Sequence, residues 1–180
     1  YEFEDYNGDD ELSGLEDRQY LADLSPKILA GLSNSFTYHN WSFNLFLQYV
    51  KKDALNEYFG TEPPGTMSNQ PTGVLDRWQA TGDNAPIQQY TTGLNDGAYT
   101  AYSRFSQSNG IISDASFLRL KSMSISYSLP LANKKTRTCK VSLMGQNLFT
   151  FTNFKGGDPE QTKGFLPPLR RISLQVQFQI

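Results

Sequence analysis

Apolar and polar residues alternate along five separate stretches of this 180-residue chain. In "RRISLQVQFQI" (170–180), Ile172, Leu174, Val176, Phe178 and Ile180 are apolar, while Ser173, Gln175, Gln177 and Gln179 are polar. A period of two places the two sets on opposite faces of a strand. "WSFNLFLQY" (41–49) puts Trp41, Phe43, Leu45, Leu47 and Tyr49 on one face and Ser42, Asn44 and Gln48 on the other, with Phe46 as the exception. "AGLSNSFTY" (30–38) groups Leu32, Phe36 and Tyr38. "KSMSISYSLP" (121–130) sets Met123, Ile125, Tyr127 and Leu129 against four serines, and "KVSLMGQNLFTF" (140–151) aligns Val141, Leu143, Phe149 and Phe151. The pattern predicts five strands.

Their connections are unequal. His39-Asn40 and residues 130–138 are short, whereas 51–113 and 153–169 are long, rich in Gly, Pro, Asn and Thr, and expected to lack regular structure. Each strand approaches the about 9–11 residues of a tilted membrane strand. Short turns at one end and long loops at the other is the pattern of an outer-membrane barrel. The competing architecture is a soluble β-sandwich with one dry face per sheet. Two features favour the membrane. The polar face carries small uncharged residues where a soluble surface carries more Lys and Glu. The last strand also runs to an apolar end at Ile180. The fold class is therefore all-β; the expected form is an antiparallel transmembrane β-barrel fragment with long extracellular loops, with the sandwich an equal alternative on the pattern alone. Residues 1–26 are expected as an extracellular loop and 27–180 as barrel strands.

Composition removes several function classes. The formal net charge is −2 and the isoelectric point is about 5.4, so no basic surface points to nucleic acid. A single cysteine, Cys139, excludes an internal disulfide, and a single histidine, His39, excludes multi-histidine metal sites. Mean hydropathy is −0.51, and no stretch approaches the ~18 apolar residues of a membrane helix. Yet aromatic residues make up 13% of the chain, which asks for surfaces to cover. No signal peptide is visible and the first residue is Tyr1, which reads as a processed or excised piece.

Three groups carry candidate chemistry. "DYNGDDELSGLE" (5–16) has the rhythm of an EF-hand-like calcium loop, which supplies oxygen from positions 1, 3, 5, 7 and 12. Counted from Asp5, these are Asp5, Asn7, Asp9, the Glu11 carbonyl and Glu16, with Leu12 as an apolar anchor. Asp10 sits at position six, where Gly normally permits the turn, and one inserted residue would make Asp17 the closing ligand. The other reading is a solvated acidic turn with no ion. In the long loop, Tyr58, Phe59, Trp78, Tyr90, Tyr99 and Tyr102 are candidates for binding substrate, since flat rings stack on sugar faces and loops carry binding. The alternative is that these rings, with Phe105, pack the loop against itself or a lid protein. Tyr38, Trp41 and Tyr127 lie beside the short turns, as an interfacial aromatic belt does. Asp158 and Glu160 fall in "GGDPE", which is turn chemistry rather than an acid–base pair, and no enzyme activity is expected.

Several blocks, in order, resemble the SusC/RagA-type TonB-dependent outer-membrane transporters. "DYNGDDELSGLEDR" resembles that family's Asp-x-Asn-Gly-Asp-Gly loop, and "SPKILAGLSNSFTYHNWSFNLFLQYV" its Pro-Lys hairpin. "LDRWQATGDNAPIQQY", "SDASFLRLKSMSISYSLP" and "VSLMGQNLFTFTNFKGGDPE" resemble further blocks toward its C-terminal end. The sequence departs from the pattern at Asp10 and Gln175, where Gly is usual, and at Ile180, where Phe is usual. The resemblance implies a barrel of about 22 strands with a plugged lumen in the outer membrane of a Gram-negative bacterium. It implies import of a nutrient such as an oligosaccharide or peptide, energy from TonB, and a SusD-like surface lipoprotein as lid. The plug and the TonB-contacting segment would precede Tyr1. Membrane lipid and the rest of the barrel would be partners of these strands, whose edges need covering. The rival function is a secreted, soluble β-rich binding or adhesion module with a calcium loop.

Overall fold

A computed structural model describes residues 1–93, 96–130, 138–161 and 165–179. The five alternating stretches form one antiparallel sheet: β1 (Ile28–Tyr38), β2 (Trp41–Lys51), β5 (Phe117–Pro130), β6 (Thr138–Thr152) and β7 (Arg171–Gln179), in the order β1-β2-β5-β6-β7. Two short strands, β3 (Asp53–Leu55) and β4 (Ile112–Asp114), pair with each other. The chain divides into two compact units, a loop unit of Tyr1–Leu24 with Ala54–Ser113 and a sheet unit of Ser25–Asp53 with Asp114–Ile180.

In the sheet unit the register sorts side chains into rows. Tyr38, Trp41, Tyr127, Val141 and Val176 lie opposite one another across the five strands, followed by Phe36, Phe43, Ile125, Leu143 and Leu174. Leu32, Leu47, Leu120 and Phe149 continue the same face, then Ala30, Tyr49, Leu118 and Phe151. The other face carries Thr37, Ser42, Ser126, Ser142 and Gln175, then Ser35, Asn44, Ser124, Met144 and Ser173. Ser35 Oγ donates to Asn44 Oδ1 at 2.8 Å and Asn44 Nδ2 to Ser124 Oγ at 3.2 Å, so this face is laced by side-chain hydrogen bonds. The apolar face is uncovered: Phe36 is 61% exposed and Leu174 72%. Aromatic rows bound it at both ends, with the Trp41 and Tyr127 rings 4.7 Å apart at the turn end. From Trp41 to Tyr49 is roughly 27 Å along the strand, or about 20 Å after a 40° tilt, near the ~25 Å apolar band of a barrel.

Two departures from perfect alternation have physical causes. Phe46 points to the polar face opposite Ser33, and Gly31 makes room for it: a Cβ there would meet the Phe46 ring at 3.0 Å. Strand β5 starts at Phe117 instead of 121 because its alternation reverses at a bulge. Phe46 faces Ser122 and Leu47 faces Leu120, so Lys121 is an extra residue against β2. The bulge keeps Leu118 and Leu120 on the apolar face and turns Arg119 to the polar one. Next to it β6 carries Asn147 in the left-handed region (φ 51).

The long stretch 51–113 is more regular than its composition suggests. It contains a 3₁₀ turn at Thr72–Asp76, the helix α1 (Gly97–Phe105) and a second 3₁₀ turn at Asn109–Ile111. Asp96 caps α1 by accepting from Tyr99 N–H at 2.7 Å. Tyr102, Phe105 and Ile111 make a buried core, with Phe3, Leu55, Tyr58 and Ile112 packed against it. A connection with its own core stays ordered, which is why polar, glycine-rich sequence here did not mean irregular chain. Of the expected turn 130–138, residues 131–137 lie outside the described residues; the strands on either side end at Pro130 and begin at Thr138.

Candidate functional site

On the polar face of the sheet four charged side chains meet. Arg119 Nη2 donates to Asp158 Oδ2 and Nη1 to Glu160 Oε2, each at 2.6 Å, while Nε donates to Thr150 Oγ1 at 3.0 Å. Lys121 Nζ adds bonds of 2.8 and 3.1 Å to Glu160. The Arg119 side chain is 1% exposed and that of Asp158 8%. Charge-assisted bonds of this length are the strong ones, and a buried guanidinium needs them. Glu160 N–H also donates to Asp158 Oδ1 at 2.9 Å, an Asx-type turn that presents both carboxylates together. Asp158 and Glu160 therefore do form a turn, and that turn is clasped to β5. Their partner Arg119 was not singled out from sequence. The available signal was a pair of cations, Arg119 and Lys121, inside an apolar strand.

The loop unit distributes its aromatic candidates among different roles. Tyr102 is fully buried, and its hydroxyl lies 2.5 Å from Thr61 Oγ1. Tyr58 meets the Phe105 ring edge-on at 6.0 Å. Burial, aided by the neighbouring Glu57 carboxylate, pushes the Tyr58 phenol up to about 12. Tyr99 is half-buried on α1, whereas Phe59 and Tyr90 are exposed, Tyr90 with the Arg77 guanidinium 3.8 Å above its ring. Trp78 lines a cavity of about 320 Å3 with Tyr1, Ala85, Ile87, Gln88 and Gln89. These six rings do not converge on one surface: two are core, one lines a cavity and the others flank the loop. A second cavity, about 550 Å3, runs between the first residues and the end of α1, where Arg104 Nη2 donates to the Leu12 carbonyl at 3.3 Å.

The acidic loop folds on its own carboxylates. Asp5 accepts from Gly8 N–H and Asp10 N–H, both at 2.7 Å, and Asp10 takes the left-handed turn (φ 63) that position six of a calcium loop requires. Asn7 Nδ2 bridges Asp9 (2.9 Å) and Glu16 (3.4 Å), and Glu11 N–H donates to Asp9 at 2.8 Å. Asp17, next to Glu16, also ties the loop together, accepting from the N–H groups of Ser13 (2.7 Å), Tyr6 (2.9 Å) and Asn7 (3.4 Å). Those donors hold the Asp17 carboxyl below its ordinary value, Ser13 contributing most. Among the described residues no group of three or more His, Cys, Asp or Glu side chains is arranged to hold a metal. The donors are nevertheless hard oxygen, the type calcium selects.

No protein-family model matches the chain. It is similar to TonB-dependent receptor P3 of Formosa agariphila, with 30% identity over 161 residues, 88% of this chain and 15% of that receptor. TonB-dependent receptor P39 of the same organism is 26% identical over 166 residues, with the same shares. The RagAB peptide importer superposes in its "open-open" and "closed-closed" states with TM-scores of 0.70 and 0.71, at 23% identity, over 94% of this chain and 19% of that one. The chain thus spans about 15% of the length of the curated relatives it matches. No helix among the described residues is long and apolar enough to cross a membrane, which leaves crossing by strands untouched. Sequence and fold together make this chain similar to a barrel segment of the SusC/RagA-type TonB-dependent receptors.

Proposed function

We propose that the chain is part of a TonB-dependent outer-membrane transporter of a Gram-negative bacterium, importing a nutrient such as an oligosaccharide or a peptide. The observation that carries this is the pair of faces on one sheet. An uncovered apolar face, edged by aromatic rows, backs a face of small polar residues. A soluble sandwich would have to cover the apolar side with a second sheet, whereas lipid covers it in a barrel. In this reading the polar face lines the lumen, His39-Asn40 turns in the periplasm, and the loop unit faces the medium, where a SusD-like lipoprotein would close over it. Coupling to TonB belongs to the whole receptor. The work of this segment is wall and mouth, not catalysis. The RagAB structures are of a peptide importer, which supports import of a peptide as one form of the proposal.

Single cysteines at Asn69 and Asn40, in a Cys139→Ser background of the full receptor, test this with a membrane-impermeant maleimide on intact cells. Asn69→Cys is expected to label and Asn40→Cys to stay protected until the cells are opened. The reverse pattern would overturn the topology. A secreted soluble adhesion or binding module would instead appear monomeric in the medium without detergent.

Calcium is the proposal for the loop 5–17, favoured by the Asp10 turn onto Asp5. Asp5, Asn7, Asp9, Glu16 and the Glu11 carbonyl would supply oxygen, and the ion would brace an exposed loop. Calorimetric titration of calcium into the full receptor is expected to show a site that Asp5→Ala/Asp9→Ala removes. Identical titrations leave only a solvated acidic turn.

A further inference from the structure

Two cations stand on the apolar face of the sheet, and both are at the end away from the His39-Asn40 turn. Lys51 lies two residues beyond Tyr49 on β2, opposite Ile28, and Arg170 immediately precedes β7. None of the five strands contains an Asp or Glu to answer them. Lys51 has the Asp114 carboxylate as an electrostatic neighbour. Arg170 has no such help: among the described residues no carboxylate pairs with it. Its guanidinium carbon instead lies 5.6 Å from the centroid of the Phe149 ring, which belongs to the apolar face. Asn147 Nδ2 donates to the Leu169 carbonyl at 3.2 Å and so fixes the backbone just before Arg170. Leu169 on one side, Ile172 two residues on and Phe149 beneath are all exposed. A charged group is thus held on the uncovered greasy side of the sheet, at its rim.

The surroundings of Arg170 select what would cover it. A guanidinium carries five N–H donors, and on the lipid face of a barrel an arginine is costly at mid-membrane and cheap only near the interface. The Phe149 ring attracts the cation but cannot satisfy a fork of donors. The partner must therefore bring an anion for the guanidinium and hydrocarbon for Leu169, Ile172 and Phe149. A free anion offers only the first and a neutral lipid only the second. A phosphorylated lipid offers both, and the planar guanidinium matches a phosphate through two parallel N–H bonds. At the outward end of an outer-membrane barrel that lipid is the phosphorylated glucosamine lipid of the outer leaflet, lipid A. We propose that Arg170, seated on the Phe149 ring, docks a phosphate of lipid A, whose acyl chains then lie along the apolar face. Lys51 adds positive potential at the same rim. The proposal rests on the transport reading, which supplies the membrane and the outward end.

Titration of lipid A into the full receptor in detergent, read by native mass spectrometry, tests it. The other probes are lipid A stripped of phosphate by a phosphatase, and inorganic phosphate. The parent is expected to carry lipid A at lower concentration than the stripped lipid, and inorganic phosphate to leave no adduct. Arg170→Gln is expected to weaken lipid A binding about tenfold, the loss of one charge-assisted hydrogen bond, and to leave binding of the stripped lipid unchanged. Arg170→Lys, which keeps the charge but not the fork, should fall between. Arg171→Gln removes the same charge one residue on, from the polar face opposite Gln146, and should bind lipid A like the parent. Heat-modifiable migration shows that each variant forms its barrel. Four results would each overturn the proposal: the stripped lipid binds as tightly as lipid A, Arg170→Gln binds lipid A like the parent, Arg171→Gln loses as much as Arg170→Gln, or inorganic phosphate alone binds through Arg170. Any of these in a receptor with heat-modifiable migration leaves the transport reading standing. A receptor that stays monomeric without detergent and shows no such migration overturns both.

Discussion

Removing Arg119 should open the chain between β6 and β7, and the magnitude can be worked from its partners. Arg119→Met preserves most of the apolar stem but deletes the guanidinium. Asp158, 8% exposed, then loses the Arg119 guanidinium and keeps the Glu160 N–H. Glu160 fares better, because Lys121 still reaches it at 2.8 Å. Breaking one side of a buried pair costs about 3–5 kcal/mol, and the retained bonds place this case near 3. Lys121→Met should cost only about 1 kcal/mol, because Lys121 is partly exposed and Glu160 retains Arg119. The assay is native-state trypsin cleavage at the exposed Lys155 in the full receptor. Where opening is fast relative to cleavage, the rate tracks the open population, so Arg119→Met should speed cleavage about 100-fold and Lys121→Met about fivefold. Adding Asp158→Asn to Arg119→Met should recover part of the loss, since it removes the stranded charge. Equal rates for the two single variants, or a change under threefold for Arg119→Met, would refute the clasp.

Other outcomes follow from single contacts. Gly65 has φ +99, and a Cβ there would sit 2.8 Å from Tyr90 Cβ and 2.9 Å from Thr91 N. Gly65→Ala should therefore break the 2.8 Å bond from Thr91 N–H to the Pro64 carbonyl and destabilise the loop unit by about 2 kcal/mol or more, read as faster proteolysis within 54–113. Asp17 titrates below its ordinary value, so the support it gives the loop is present above pH ~4 and lost as pH falls through that lowered value. Pepsin cleavage within 1–24 should rise between pH 4 and 2, and Asp17→Ala should be cleaved readily across that range; matching profiles would contradict the assignment.

The strands were legible because lipid or solvent on one side and polar groups on the other impose a period of two. Val141, Leu143, Leu174 and Val176 share the expected face. The start of β5 was hidden because the bulge at Lys121 reverses parity, so Phe117 and Arg119 read as out of phase. Helix α1 carried one local signal, Asp96 as N-cap. Gly97 and a run of Tyr, Thr and Ser, all weak helix formers, masked it. The clasp could not be read from local pattern at all, because Arg119 and Asp158 meet across 39 residues. The aromatic residues announced that the long loop had something to cover, but ring identity alone does not separate Tyr102 in the core from Trp78 at a cavity.

The central claim, that one face of this sheet meets lipid and the other the lumen, is tested most directly by two neighbouring substitutions. Val176 and Gln175 are adjacent on β7 and point to opposite faces, opposite Val141 and Ser142. In the full receptor, the barrel stability of Val176→Arg and Gln175→Arg is measured from heat-modifiable migration across a temperature series. An arginine on the lipid face near mid-membrane costs about 2–4 kcal/mol, whereas one facing the lumen keeps its water. The account predicts that Val176→Arg loses the folded form at distinctly lower temperature and Gln175→Arg stays close to the parent. Equal losses, or the greater loss at Gln175, would contradict it.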